Sequence, residues 1–154
     1  MLARIQSLYL FVVALLAVAS MALPIWSFNA TPQLIVRDLA SAPLDNALYN
    51  LASTAGMVLS PLTAIVAGAA IFLFTNRALQ TKLIMLAMLL FAGDLVAALA
   101  AAHMMNEHFV ALGNVVVHQP QAGLFILLPE PLLLFLALKG VKTDDKIANA
   151  YKRL

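Results

Sequence analysis

Cysteine is absent from this chain, which excludes disulfides, thiolate catalysis and thiolate metal sites and leaves hydroxyls as the remaining nucleophiles. Charge is scarce as well. Only 10% of the 154 residues are Asp, Glu, Lys or Arg, against about a quarter in soluble domains. There is no phosphate-binding glycine loop, metal-binding helix motif or nucleophile elbow, which argues against a hydrolase or kinase. What the chain does have is apolar residues, at 64% and a mean hydropathy of +0.97. So much apolar surface has no place inside a soluble core, and the bilayer must be its solvent.

The apolar runs predict an all-α, four-span, up-down bundle in a single domain, with spans near 5–25, 48–74, 83–103 and 122–138. Pro24, Trp26 and Tyr9 mark the interfaces of the first span. Ala17-Val18-Ala19 would also suit signal cleavage, but an uncleaved span is expected. The second span is long and holds Pro61, a candidate kink. Small residues, Ala64 with Gly68 on one span and Gly93, Ala97 and Ala101 on the next, predict a closely packed hairpin of spans two and three. The fourth span is short and should bend or unwind at Pro129-Glu130-Pro131.

Between the spans, residues 27–47 read as a polar loop with Pro32, Arg37, Asp38, Pro43, Asp45 and a short strand Leu34-Ile35-Val36. Phe109–Leu112 and Val115–His118 around Gly113-Asn114 read as a hairpin that could join that strand in a small cap. In the tail, 139–154, Thr143 is expected to cap a short surface helix. Its apolar stripe would be Ile147, Tyr151 and Leu154, with Lys146, Lys152 and Arg153 on the polar side, suited to headgroups or a partner.

Eight basic residues (Arg4, Arg77, Lys82, Lys139, Lys142, Lys146, Lys152, Arg153) fall on one side of the predicted spans and only Arg37 on the other. By the positive-inside rule both termini are cytoplasmic. The pI of 9.2 reflects loop and tail residues rather than a nucleic-acid-sized patch.

Three segments carry a resemblance: Arg4-Ile5-Gln6-Ser7-Leu8-Tyr9-Leu10 at the start, Phe72-Leu73-Phe74-Thr75-Asn76-Arg77 with Leu79-Gln80 at the central turn, and Lys142-Thr143-Asp144-Asp145-Lys146 near the end. With them the chain resembles the small four-helix membrane proteins of Bacteroidota known only as a domain of unknown function. The resemblance implies a bacterial inner-membrane location and brings no catalytic residue or cofactor.

Asp94 lies about halfway along the third span. Counted inward at about 1.5 Å per residue, Glu130, Ser60 and Thr63 reach a similar depth. No Lys or Arg lies within a span, so these acids must carry a proton, accept hydrogen bonds or face a partner. The expectation is a structural acid bonded to a neighbouring hydroxyl or to another subunit; the competing one is a proton or cation relay. His103 and His108, with nearby Met104, Met105, Glu107 and His118, are weak candidates for copper or haem, and no metal or cofactor is expected. The function expected is a non-enzymatic accessory or scaffolding subunit of a larger membrane assembly. A proton- or ion-coupled carrier using Asp94 and Glu130 is the first alternative, and a haem or copper electron carrier the second.

Overall fold

Buried positions recur every three or four residues along each long helix, the spacing by which left-handed bundles pack. The computed structural model describes residues 2–30, 33–39 and 44–151, and the side chains of 5–30, 33–39 and 44–150. Pro32, Pro43, Lys152, Arg153 and Leu154, and the side chains of Arg4 and Tyr151, lie outside what is described. Helix α1 (Leu2–Ala22) buries Gln6, Leu10, Val13, Ala17 and Ser20. Helix α2 (Ala47–Phe72) buries Tyr49, Gly56, Ser60, Thr63, Ala67 and Ala70. Helix α3 (Arg77–Ala111) turns Gln80, Ile84, Ala87, Phe91, Asp94, Ala98, Ala101 and Met105 inward. The fourth crossing is broken into α4 (Ala122–Leu127) and α5 (Glu130–Tyr151). Four helical segments are thus long and apolar enough to span a membrane. They form a ring in which α1 and α3 each pack against both α2 and α5.

Strands β1 (Trp26–Phe28), β2 (Leu34–Val36) and β3 (His118–Pro120) form an antiparallel sheet in the order β2-β1-β3. Two strands come from the α1–α2 connection and one from the α3–α4 connection, so both connections meet at one end and the helices alternate in direction. One apolar cluster, with Phe28, Val36, Tyr49, Ala101, Met105 and Phe109, lies at this sheet end. A second, with Leu10, Val13, Ala67, Ile84, Phe91, Leu134 and Val141, fills the bundle toward the tail end.

Several expectations need correction. The hairpin around Gly113 does not form, because Phe109–Ala111 belong to α3. Phe109 packs there against Phe28, with ring centroids 5.8 Å apart. Gly113, at φ 73, ends the helix, with Gly113 N–H donating to Val110 O and Asn114 N–H to Phe109 O. That is the bond pair of a Schellman stop, in which glycine takes the left-handed conformation without strain. The third helix therefore runs 35 residues, about 52 Å, well past His103 and past a bilayer core. The sheet does include Leu34–Val36, but its other members are Trp26–Phe28 and His118–Pro120.

The tail is not a separate helix. α5 continues to Tyr151, and Thr143 Oγ1 donates to Lys139 O (2.9 Å) within it instead of capping a new start. Gly68 makes no close helix contact, since a Cβ there would meet nothing within 4 Å. Ala64 is half-buried beside it, and the packed small residues of α2 are Gly56, Ala67 and Ala70. On α3 the expected stripe holds: Ala97 and Ala101 are buried, and a Cβ on Gly93 would press on Leu59 Cδ1 at 3.2 Å. α2 runs through Pro61 without interruption, whereas the Pro129-Glu130-Pro131 segment does break the fourth crossing, as its missing N–H groups require.

At the tail end the turn between α2 and α3 is held by polar side chains. Asn76 caps α3 by accepting from Leu79 N–H, and buried Gln80 donates to Ala70 O (3.0 Å) at the end of α2. Gln6 Nε2 donates to Asp144 Oδ2 (2.8 Å), and Arg77 Nη1 donates to Asp144 O (3.1 Å). The three segments that carry the resemblance thus meet at one end of the bundle.

Candidate functional site: a buried acid layer

Each helix seam changes character at one level, between the two apolar clusters. α1 places Ser20 there, α2 Gly56 and Ser60, α3 Asp94, and α5 its first residue, Glu130. The chain leaving β2 adds Asp38. All three carboxyls are deeply buried, with Asp38 and Asp94 at 2% exposure and Glu130 at 0%. A Cβ built on Gly56 would lie 3.6 Å from both Asp38 Oδ1 and Asp94 Oδ1, an ordinary contact distance, so both carboxyls border the same point of α2. Asp38, Asp94 and Glu130 lie within electrostatic reach of one another.

The layer has few partners. Asp94 Oδ1, Ser60 Oγ and both Glu130 carboxyl oxygens are buried with no hydrogen-bond partner among the described residues. Ser20 Oγ lies 2.9 Å from Ala17 O and 3.5 Å from Asp38 Oδ2. A hydroxyl has one proton to give, and the shorter contact to Ala17 is favoured. Ser60 Oγ also faces Asp38, but outside hydrogen-bond geometry. Burial pushes the Asp38 carboxyl up to about 6 from 3.8, and the nearby Ser60 and Ser20 hydroxyls only partly oppose it.

Of the residues expected from sequence at this depth, Ser60, Asp94 and Glu130 come together. Thr63 is buried, but its hydroxyl turns back to Leu59 O (2.8 Å) on its own helix. Asp38, Ser20 and Gly56 were not expected. Ser20 carried a signal, as a polar residue in line with Leu10, Val13 and Ala17. Asp38 carried none locally, because its burial follows from the sheet folding the loop back between helices.

His103 and His108 do not share a site. His103 lines a cavity of about 200 Å³ with Trp26, Asn106 and His118, and Trp26 Nε1 donates to His118 Nδ1 (3.1 Å). His108 instead packs edge-on to Phe109. Among the described residues no three His, Asp or Glu side chains are grouped as a metal ion requires.

A family model described as a domain of unknown function (DUF4293) matches residues 2–154. No curated protein and no solved structure matches.

Proposed function

The chain belongs to the DUF4293 family over that whole stretch, and on this premise we propose that it is a non-enzymatic protein of a bacterial cytoplasmic membrane that carries protons through its acid layer. The supporting observation is the set of partnerless oxygens on Asp94, Glu130 and Ser60. An unpaired carboxylate is too costly to keep in an apolar interior, so something must neutralise it. A bound metal cation needs oxygens converging to about 2–2.6 Å, a grouping these residues do not make. A proton needs no such cage.

In this reading Asp38, carried into the layer by the loop after β2, exchanges protons near pH 6 and hands them to Asp94 beside Gly56. Glu130 receives them at the break in the fourth crossing. There Pro129 and Pro131 have no N–H to give to Phe125 O and Leu127 O, which leaves acceptors for a carboxylic acid or a water. An apolar cluster closes the layer on each side, so transport requires the two to open in turn. In this reading both termini are cytoplasmic, because in the sequence eight of the nine basic residues fall on that side of the spans.

The test is proton flux into vesicles containing the purified protein under an imposed pH gradient. Asp94→Asn and Glu130→Gln should each abolish flux with melting temperature unchanged or raised. Flux no greater than in protein-free vesicles, or undiminished in Asp94→Asn, would refute the carrier.

A second reading, an accessory or scaffolding subunit, is supported by Gly68, whose small surface on α2 meets nothing within the chain and suits a helix from another membrane protein. Its test is co-purification from native membranes. A stoichiometric membrane partner lost in Gly68→Leu would support it.

A further inference from the structure

We propose that the tail end of α5 holds an anionic diacyl phospholipid, with one acyl chain on each side of Lys139 and the phosphate among Lys139, Lys142 and Lys146. This requires the chain to be inserted in a membrane, but it is independent of proton transport. Two grooves flank this stretch. One, of about 300 Å³, is lined by Ile5, Tyr9, Leu136, Lys139, Thr143 and Asp144, with Gln6 and Gly140. The other, of about 370 Å³, has Phe135 and Leu138 at its foot and Lys139, Lys142, Thr143 and Lys146 above them. Lys139 and Thr143 belong to both. Both grooves are apolar toward the bundle centre; farther out the second is cationic, whereas the first sets Lys139 beside Asp144, whose carboxylate accepts from Gln6, so the headgroup belongs on the side of the second.

The helix sorts its charges to suit. Asp144 faces Gln6 and Arg77, and Asp145 lies with Asn76 and Arg77 beside the α2–α3 turn. Lys139, Lys142 and Lys146 recur at three- and four-residue spacing on another side, all exposed. The Gln6 and Arg77 bonds to Asp144, and the tight approach of Gly140 to Gln6, fix α5 against the bundle. The lysines are thus presented by a rigid helix. Thr143 Oγ1 already donates to Lys139 O, so the donors left for a phosphate are the ammonium groups.

The experiment uses the full-length protein in detergent, titrated with phosphatidylglycerol, phosphatidylcholine or inorganic phosphate, and read by thermal melting and native mass spectrometry. Phosphatidylglycerol should form a one-to-one adduct and raise the melting temperature; phosphatidylcholine and free phosphate should do neither. At about 1 kcal/mol per lysine near a lipid surface, the variant Lys139→Gln/Lys142→Gln/Lys146→Gln should bind about a hundredfold more weakly, with its lipid-free melting temperature unchanged. Phe135→Ser/Leu138→Ser should weaken phosphatidylglycerol binding while leaving its preference over phosphatidylcholine. Equal binding of the two lipids, stabilisation by phosphate alone, or a triple variant that keeps the anionic preference would overturn the proposal.

Discussion

Asp38 Oδ1 and Asp94 Oδ1, one from a loop and one from a helix, stand the same 3.6 Å from where a side chain on Gly56 would begin. The loop between α1 and α2 is therefore a wall of the buried site. Any argument about the charge inside the bundle has to include Asp38.

Asp38 gives stability a pH dependence of known sign. Its folded value of about 6 lies above the unfolded 3.8, so between the two the folded protein holds a proton that the unfolded chain has released. The contribution is fully present below about pH 4 and is lost as pH rises through 6, by up to about 3 kcal/mol. Chemical denaturation between pH 4 and 7 should show the decline, and Asp38→Asn should flatten it. An undiminished slope in Asp38→Asn would assign the effect to other groups.

Glycines at different contacts should respond differently. A Cβ on Gly123 would sit 2.8 Å from the backbone oxygen of Pro24, which cannot swing aside, so Gly123→Ala should destabilise by about 1–3 kcal/mol. Gly68 faces open space, and Gly68→Ala should be neutral or stabilising by up to about 1 kcal/mol. Melting temperatures in one detergent compare the two directly, and equal shifts would contradict the packing described.

Gln80 is buried with its amide on Ala70 O. Gln80→Met fills similar volume but leaves that carbonyl without its donor, at a cost of about 1–3 kcal/mol. A variant as stable as the parent would mean that water or another group satisfies the carbonyl.

Membrane topology can be read with reporters. An enzyme active only in the cytoplasm should work when fused after Leu154 and fail when inserted near Ser41. The opposite pattern would reverse the assignment of Lys and Arg to the cytoplasmic face.

The long helices were legible because runs such as Leu83–His103 are too apolar for any other solvent, and simple counting put Asp94, Glu130 and Ser60 at one depth. What failed was local reading where tertiary contact decides. Thr143-Asp144-Asp145 has the composition of a helix start, yet α5 runs through it because Asp144 is bound by Gln6 and Arg77. Gly113-Asn114 suits a hairpin turn but ends a helix, because Phe109 is drawn onto Phe28. Strand β1 is three residues long, too short for alternation to show, and its partners are set by pairing across the molecule.

That pairing has a consequence for biogenesis. The central strand of the sheet is the first to be made, and its neighbour β3 lies 90 residues later at the matched pair Phe28 and His118. While the ribosome is still translating α2 and α3, Phe28 has one backbone edge unmatched, in the state that invites pairing with a foreign strand. Only after α3 has been made does His118 arrive to occupy that edge. Assembly of this small protein thus has a vulnerable interval set by the order of its strands, and anything that slows insertion of α3 would lengthen it.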